Sequence, residues 1–276
     1  MGGTKRKDEE RRRIAILGGG NLGQALARGW TEAGVVDSED LHVVRRRPER
    51  LAELDALGIT TGSDNRAAAE AAELIVIAVQ PQQVEGLLGE IASILDPTQH
   101  RVVSVVSGVS IAMLSSHLTG VPLVRAMPNT AVSIRESMTC LAASPAHAKA
   151  LAEVRILFEA LGSTLEIEED MMIPATALCA CGIAFFLRAV RAASQGGIEI
   201  GFHPDEAMLL AAQTARGAAS LMLRDESHPE AEIDRVTTPR GCTIAGLNEM
   251  EHQGFSSALI KGILMSADKA AGLYES

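Results

Sequence analysis

Aromatic residues and cysteines are scarce in this 276-residue chain and its net charge is negative, which limits the classes of protein to which it can belong. Aromatic residues make up 3% of the sequence, so we expect a core of small residues and closely packed helices. The four cysteines, Cys140, Cys179, Cys181 and Cys242, are too few for a disulfide framework at this length. A net charge of −10 argues against nucleic acid as the main partner.

Targeting and membrane signals are also missing. Residues 1–12 are highly charged and lack the apolar core of a signal peptide, so we expect a disordered tail. The long apolar stretch from Ile173 to Val190 is interrupted by Arg188, and we expect no membrane-spanning segment. The sequence therefore predicts a cytoplasmic protein without a membrane partner.

Short apolar runs alternate with helix-like segments over residues 13–170. The predicted strands are Ile14–Leu17, Leu41–Val44, Leu74–Val79, Val102–Val106 and Leu123–Ala126, and the helix-like segments between them include Leu22–Ala33, Pro48–Leu57 and Pro81–Leu95. Strands without polar alternation are buried on both faces, as in a parallel sheet wrapped by helices. The pattern predicts an α/β fold with a doubly wound, Rossmann-type parallel sheet.

Residues 171–276 carry no strand signal and predict an all-helical second domain. Helices are expected over Pro174–Ser194, Pro204–Arg224 and Phe255–Tyr274. The first of these is apolar almost all round, so we expect it to be buried against a second subunit.

A glycine motif follows the first predicted strand, with the spacing Gly18-x-Gly20-x-x-Gly23. Gly18 permits a tight turn, Gly20 lets the backbone approach a pyrophosphate, and Gly23 lets the next helix pack on the strand. A glycine-rich turn without a ligand is the alternative. The strand before it and the amphipathic helix after it favour a dinucleotide site.

The end of the second strand indicates which dinucleotide binds. An NAD site places an acidic residue there, whereas this chain has Arg45, Arg46 and Arg47. Three guanidinium groups suit a 2′-phosphate, so NADPH is the predicted cofactor and NADH remains possible. A solvated charge cluster at a helix start is the alternative.

Four segments in the same order resemble the pyrroline-5-carboxylate reductase family, and the resemblance covers nearly the whole chain from Ile14 onward. They are the glycine loop, Ala78-Val79-Gln80-Pro81-Gln82, Arg125-Ala126-Met127-Pro128-Asn129-Thr130, and the stretch from Val236 to Leu247. The resemblance implies NADPH-dependent reduction of 1-pyrroline-5-carboxylate to L-proline by a homodimer or a larger ring of dimers.

The predicted site residues combine these motifs with the resemblance. The cofactor-binding residues are Gly18, Gly20, Asn21, Leu22, Gly23, Arg45, Arg46, Arg47, Asn65, Ala78, Val79, Gln80, Pro81, Met127, Pro128 and Asn129. The substrate-binding residues are Cys179, Cys181, Glu226, Arg240, Gly241, Cys242 and Thr243, of which Thr243 is the catalytic residue through a bond to the ring nitrogen. In isolation, Thr243 also reads as a helix cap and Glu226 as a solvated loop carboxylate.

The departures from the family pattern lie near the expected substrate pocket. Cys179-Ala180-Cys181 stands where the family commonly reads S-G-S, Gln80 replaces Lys, Arg240 replaces Gly, and Cys242 replaces Thr. A related cyclic imine or a non-catalytic NADP-binding sensor therefore remains an alternative. A 3-hydroxyacid-type dehydrogenase is another, because it has a similar build with a glycine loop and a helical second domain. No metal site is expected, because residues two apart on a helix face different sides.

Overall fold

The computed structural model describes residues 12–225 and 227–272, so nearly all of the predicted charged tail lies outside it. The eight strands, β1 to β8, are Ile14–Leu17, Leu41–Val44, Thr60–Gly62, Leu74–Ile77, Arg101–Ser104, Leu123–Met127, Ser137–Ala143 and Gly162–Glu166. The twelve α-helices of these residues, α1 to α12, are Asn21–Glu32, Ala52–Asp55, Asn65–Glu70, Val84–Ile91, Ile111–His117, Ala148–Glu159, Met172–Ala175, Gly182–Glu199, Pro204–Asp225, Pro229–Val236, Cys242–His252 and Phe255–Ala271.

The strands form one sheet in the order β3-β2-β1-β4-β5-β6-β7-β8. The pairs from β3 to β6 are parallel, β6 pairs antiparallel with β7, and β7 pairs parallel with β8. The short connection between β6 and β7 suits an antiparallel pair, whereas α6 supplies the crossover that the parallel β7–β8 pair needs. The doubly wound fold is confirmed, with an antiparallel addition at one side.

Both faces of the sheet are buried. Along β1, Ile14 and Ile16 belong to one apolar cluster, and the alternating Ala15 and Leu17 belong to the other. Trp30 of α1 fills the first cluster and donates a hydrogen bond from Nε1 to the Leu157 carbonyl at 2.8 Å. Burial on both faces explains the continuous apolar runs in the sequence.

The sequence missed three strands and overextended two. β3 is short and polar, β8 is a partly exposed edge, and β7 mixes polar with small residues, so none has a long apolar run. The predicted strands ending at Val79 and Val106 stop instead at Ile77 and Ser104.

The predicted helix over Pro174–Ser194 is wrong at its start and in its continuity. The helical stretch begins before Pro174, and a π-helical segment, Thr176–Cys181, separates α7 from α8. The chain folds into two compact units: the first runs up to Ala180 and includes the residues from Ala267 on, and the second spans Cys181–Ser266. The sequence-based division at residue 170 differs from this one.

The second unit leaves many large apolar side chains exposed. They include Leu187 of α8, Leu209 and Leu223 of α9, and Met265 of α12. Helix α8 packs along α9, and an apolar groove of about 1250 Å³ lies beside them, lined by residues that include Phe186 and Leu210.

One helical stretch, Glu169–Glu199, is long and apolar enough to cross a membrane by length and composition. The expectation that no apolar stretch reaches this length is therefore wrong by length and composition, whereas the absence of a membrane-spanning segment stays a prediction. A single helix of this kind is weak evidence, since the core helix of a soluble protein passes the same test.

Candidate functional site

The glycine loop turns sharply after β1, at the carboxyl end of the sheet. Gly18 has φ +123°, and a Cβ there would lie 2.3 Å from the Ala78 carbonyl oxygen. The N–H groups of Gly18 and Gly19 both donate to the Val44 carbonyl, at 3.1 and 2.7 Å. Only glycine at position 18 allows the chain to pass this close to the ends of β2 and β4.

Helix α1 begins with its N-terminus open. Its N-cap, Gly20, is extended and makes no side-chain capping bond, and a Cβ on Gly20 would meet nothing within 4 Å. A Cβ on Gly23, in contrast, would lie 2.2 Å from the Gly18 carbonyl oxygen, so the helix packs against the loop. Free first-turn N–H groups beside open space fit the pyrophosphate of a dinucleotide.

Arg45 and Gln24 hold the loop in place. The Gly19 carbonyl accepts hydrogen bonds from Arg45 Nη1 and Gln24 Nε2, each at 3.0 Å. Because the C=O and N–H of a trans peptide point in opposite directions, these bonds turn the Gly20 N–H the other way. At least one guanidinium N–H of Arg45 is therefore used to orient the loop.

A cavity of about 570 Å³ opens at this loop. Nine predicted cofactor residues line it: Gly18, Gly20, Arg45, Arg46, Arg47, Asn65, Ala78, Val79 and Gln80. Four residues outside the predicted set also line it: Gly19, Val44, Arg50 and Gln83. The predicted residues Asn21, Leu22, Gly23 and Pro81 adjoin these in sequence without being part of the lining.

The lining of the cavity is positively charged, and hydrogen bonds fix some of its side chains. Four arginines line the cavity in a chain whose net charge is −10, so the cavity concentrates positive charge that suits an anion. Asn65 begins α3 and donates from Nδ2 to Glu90 at 2.8 Å, which fixes the amide. Arg50 lies on the short 3₁₀ turn Pro48–Leu51, three residues after Arg47, and this spacing was the signal for it in the sequence.

The Met127-Pro128-Asn129 segment lies at the end of β6 and does not line this cavity. Met127 is buried, and the Ser107 hydroxyl lies 3.8 Å from its sulfur. Asn129 caps the next turn, because its Oδ1 accepts the Ala131 N–H at 3.0 Å. Since β1, β4, β5 and β6 are parallel neighbours, this segment and the glycine loop lie along the same edge of the sheet.

Arg125, in the same motif, has a structural contact. Its side chain is 2% exposed, and Nη1 lies 3.2 Å from Glu169 Oε1, which also accepts the Ile111 N–H at 2.6 Å. A buried guanidinium needs such a partner. The pair ties β6 to the start of α5 and to the segment that leads into α7.

Two cysteines meet within the first unit. Cys179, on the π-helical segment, places its Sγ 3.7 Å from the Sγ of buried Cys140 on β7. The hydrogen bond from Cys140 lowers the pKa of Cys179 to about 7. The same bond and burial raise the pKa of Cys140, so Cys179 is the one that ionises first. The predicted Cys181 lies at the end of this segment, where the second unit begins.

The predicted substrate turn lies in the second unit, between α10 and α11. The Gly241 N–H donates to the Thr238 carbonyl at 2.9 Å, and Arg240 has φ +61°. This left-handed conformation favours glycine, which the resembling family has at that position. A Cβ on Gly241 would lie 2.4 Å from Thr238 Oγ1, so the turn has no room for a side chain there.

Thr243 is the second residue of α11 and does not cap it, so its interpretation as a helix cap is wrong, whereas its catalytic role stays a prediction. The helix begins at exposed Cys242, and its N-cap is Gly241 without a side-chain capping bond. The Thr243 hydroxyl donates to the Val236 carbonyl at 3.2 Å. The first-turn N–H groups are thus left for another acceptor. The predicted Glu226 lies outside the described residues.

Comparisons with known proteins agree with this arrangement. Residues 169–273 match the family model for pyrroline-5-carboxylate reductase dimerisation, and residues 13–108 match the model for NADP oxidoreductases that are coenzyme F420-dependent. The chain is 46% identical to pyrroline-5-carboxylate reductase 2 of Dictyostelium discoideum, over 94% of this chain and 92% of the relative. It is 48% identical to pyrroline-5-carboxylate reductase 1 of the same organism, over 95% of this chain, but spans only half of that relative's length.

Solved structures give the same grouping. A pyrroline-5-carboxylate reductase from Coxiella burnetii superposes with a TM-score of 0.87 at 29% identity, covering 96% of this chain and 99% of that one. The NADP-bound pyrroline carboxylate reductase of Plasmodium falciparum, at 22% identity, shares the fold with a TM-score of 0.85, covering 96% and 99% of the two chains. The chain belongs to the pyrroline-5-carboxylate reductase family.

Proposed function

We propose that the protein reduces 1-pyrroline-5-carboxylate to L-proline with NADPH, the last step of proline biosynthesis. The observation that carries the proposal is the arginine-lined cavity at the glycine loop, in a chain that belongs to this family. When bound, NADPH supplies the hydride that reduces the C=N bond. The residues of the chain bind and orient the two reactants and exclude water.

The cofactor is held from two sides of the cavity. The open N-terminus of α1 accepts the pyrophosphate, and Gly20 leaves the space for it. Arg46, Arg47 and Arg50 neutralise the 2′-phosphate, while Arg45 keeps the Gly19 peptide oriented. Met127 and Pro128 lie farther along the same sheet edge, where a bound nicotinamide would extend.

The substrate is anchored by the turn before α11. The free N–H groups of Cys242 and Thr243 bind the carboxylate, which also interacts favourably with the positive end of the helix. The Thr243 hydroxyl proton is directed to Val236, so its oxygen is left to accept a hydrogen bond from the protonated ring nitrogen. The imine takes this proton from water, and Thr243 holds the resulting cation in place.

A homodimer formed through the helical unit completes the assembly. The dimerisation model covers this unit, and its exposed leucines and apolar groove need a cover. We assign that cover to a second copy of the chain rather than to lipid, with the enzyme in the cytoplasm.

The decisive experiment follows NADPH oxidation with pyrroline-5-carboxylate, with a 3-keto acid and with neither. We expect oxidation only with the imine, and L-proline as the product. A protein that oxidises NADPH with the keto acid, or binds NADPH and reduces neither compound, would contradict the proposal. The Cys179, Cys181 and Cys242 departures favour one further candidate, a related cyclic imine carboxylate, and a six-membered homologue in the same assay tests it.

A further inference from the structure

The Cys140–Cys179 pair carries an inference beyond the reductase reaction. We propose that these two thiols are an oxidative modification site, which a hydroperoxide converts to a disulfide that switches the enzyme off. The observation is their meeting across 39 residues of sequence, at an Sγ–Sγ distance of 3.7 Å. A disulfide needs about 2.05 Å, so the sulfurs have to approach by less than about 2 Å.

The surroundings of the pair let Cys179 move towards Cys140. Cys140 is fixed in β7 between two neighbouring strands, whereas Cys179 lies on a π-helical segment, a rare conformation that is often found at functional sites. The pair packs among Met127, Met172 and small alanines. Methionine side chains repack readily, so the cluster accommodates a shift of Cys179.

The two cysteines have different chemical roles. Cys179 is half-buried and has the lower pKa, so it is the nucleophile. Cys140 is buried and protonated, and it lies close enough to react with the oxidised sulfur of Cys179. The Cys179 thiolate attacks hydrogen peroxide, an S–O bond forms, the O–O bond breaks and, with the uptake of a proton, water leaves. Cys140 then attacks the sulfenic sulfur, an S–S bond forms, and its proton leaves with the hydroxyl as a second water. Two thiols are oxidised and one peroxide is reduced.

The disulfide connects two parts of the proposed active site. Cys140 lies opposite Met127 in the antiparallel β6–β7 register. Cys179 is one of the predicted substrate-binding residues. Pulling Cys179 towards Cys140 displaces its segment and repacks Met127. The resulting loss of activity rests on the proposed function, whereas disulfide formation does not.

The first arm of the test measures the bond itself. The reduced full-length protein is treated with hydrogen peroxide, blocked with N-ethylmaleimide, digested and analysed by mass spectrometry. We expect a Cys140–Cys179 cross-linked peptide that lacks two hydrogens. Cys242→Ala, which removes an exposed thiol, serves as the matched control and should form the same cross-link. Cys140→Ala should instead accumulate sulfinic acid at Cys179.

The second arm measures NADPH oxidation before and after peroxide, with each variant compared with its own untreated sample. The unmodified protein should lose most of its activity and regain it with dithiothreitol, whereas Cys140→Ala should not regain it. If Cys140 and Cys179 are still free thiols after a peroxide treatment that oxidises Cys242, the proposal is overturned. If the Cys140–Cys179 disulfide forms quantitatively and the protein keeps its full reductase activity, the disulfide does not switch the enzyme off. If the protein has no reductase activity at all, the first arm still decides whether the site exists.

Discussion

The preference for NADPH over NADH tests the arginine-lined cavity most directly. The two cofactors differ by the 2′-phosphate, and we assign that group to Arg46, Arg47 and Arg50, which line the cavity and are exposed. Replacing all three by alanine should weaken NADPH binding and leave NADH binding nearly unchanged. Isothermal titration calorimetry with each cofactor gives both dissociation constants on the same preparation.

The expected magnitude follows from the exposure of these side chains. A hydrogen bond to a charged group contributes about 1.5–3 kcal/mol, and solvent-exposed groups belong at the lower end. Counting one bond at a time from two of the three arginines gives about 3 kcal/mol, or a loss of roughly a hundredfold in NADPH affinity. Because exposed charges are screened, the preference should also decrease as the salt concentration rises.

Arg45→Ala separates orientation from charge. Its guanidinium is bonded to the Gly19 carbonyl, so its loss should weaken both cofactors alike, by about 1 kcal/mol, while Gln24 still holds the loop. Arg155→Ala, on α6 and outside the cavity, controls for the change in net charge and should affect neither. Equal affinities for NADPH and NADH in the unmodified protein, or an unchanged ratio in the triple variant, would refute the assignment.

Three further substitutions test the rest of the proposed site and assembly. Gly20→Ala should weaken NADPH binding at least about tenfold with little change in melting temperature, because its Cβ enters open space, whereas Gly86→Ala, also in open space, should leave binding unchanged. Thr243→Ala should lower kcat/KM by about one to two orders of magnitude, and Thr243→Ser, which keeps the hydroxyl, should retain the original value. A lower melting temperature of Thr243→Ala with unchanged kinetics would mean that Thr243 has a structural role only. Leu210→Glu changes a side chain that is 47% exposed in the groove, and light scattering should then report a mass closer to that of the monomer. Leu57→Glu changes a side chain that is 46% exposed in the other unit and should leave the mass unchanged, so equal masses for the two variants would count against the dimer.

The features that the sequence predicted well are local ones. The β1–loop–α1 unit depends on the spacing of Gly18, Gly20 and Gly23 and on the strand and helix beside them. Five of the strands were recognisable because each is mostly apolar, as burial on both faces of the sheet requires. The arginines after β2 were recognisable because they follow directly on a strand end.

Short or edge elements were beyond the same reasoning. β3 and β8 bury little, so their sequences carry no apolar period, and their place is set by pairing with β2 and β7. Arg50 was missed because the predicted set stopped at the three consecutive arginines, although Arg50 follows Arg47 by three residues on the 3₁₀ turn Pro48–Leu51.

Contacts between distant segments explain the remaining differences. The interpretation of Thr243 as a helix cap was reasonable from its neighbours, but its hydroxyl donates to Val236, the last residue of the preceding helix, across seven residues. Cys179 was paired in sequence with Cys181, yet its contact is Cys140 on a strand that carried no signal. In both cases the local pattern offers several partners of equal merit, and tertiary packing selects one. The chemistry of a thiol or hydroxyl depends on that partner, because the partner decides which group holds the proton.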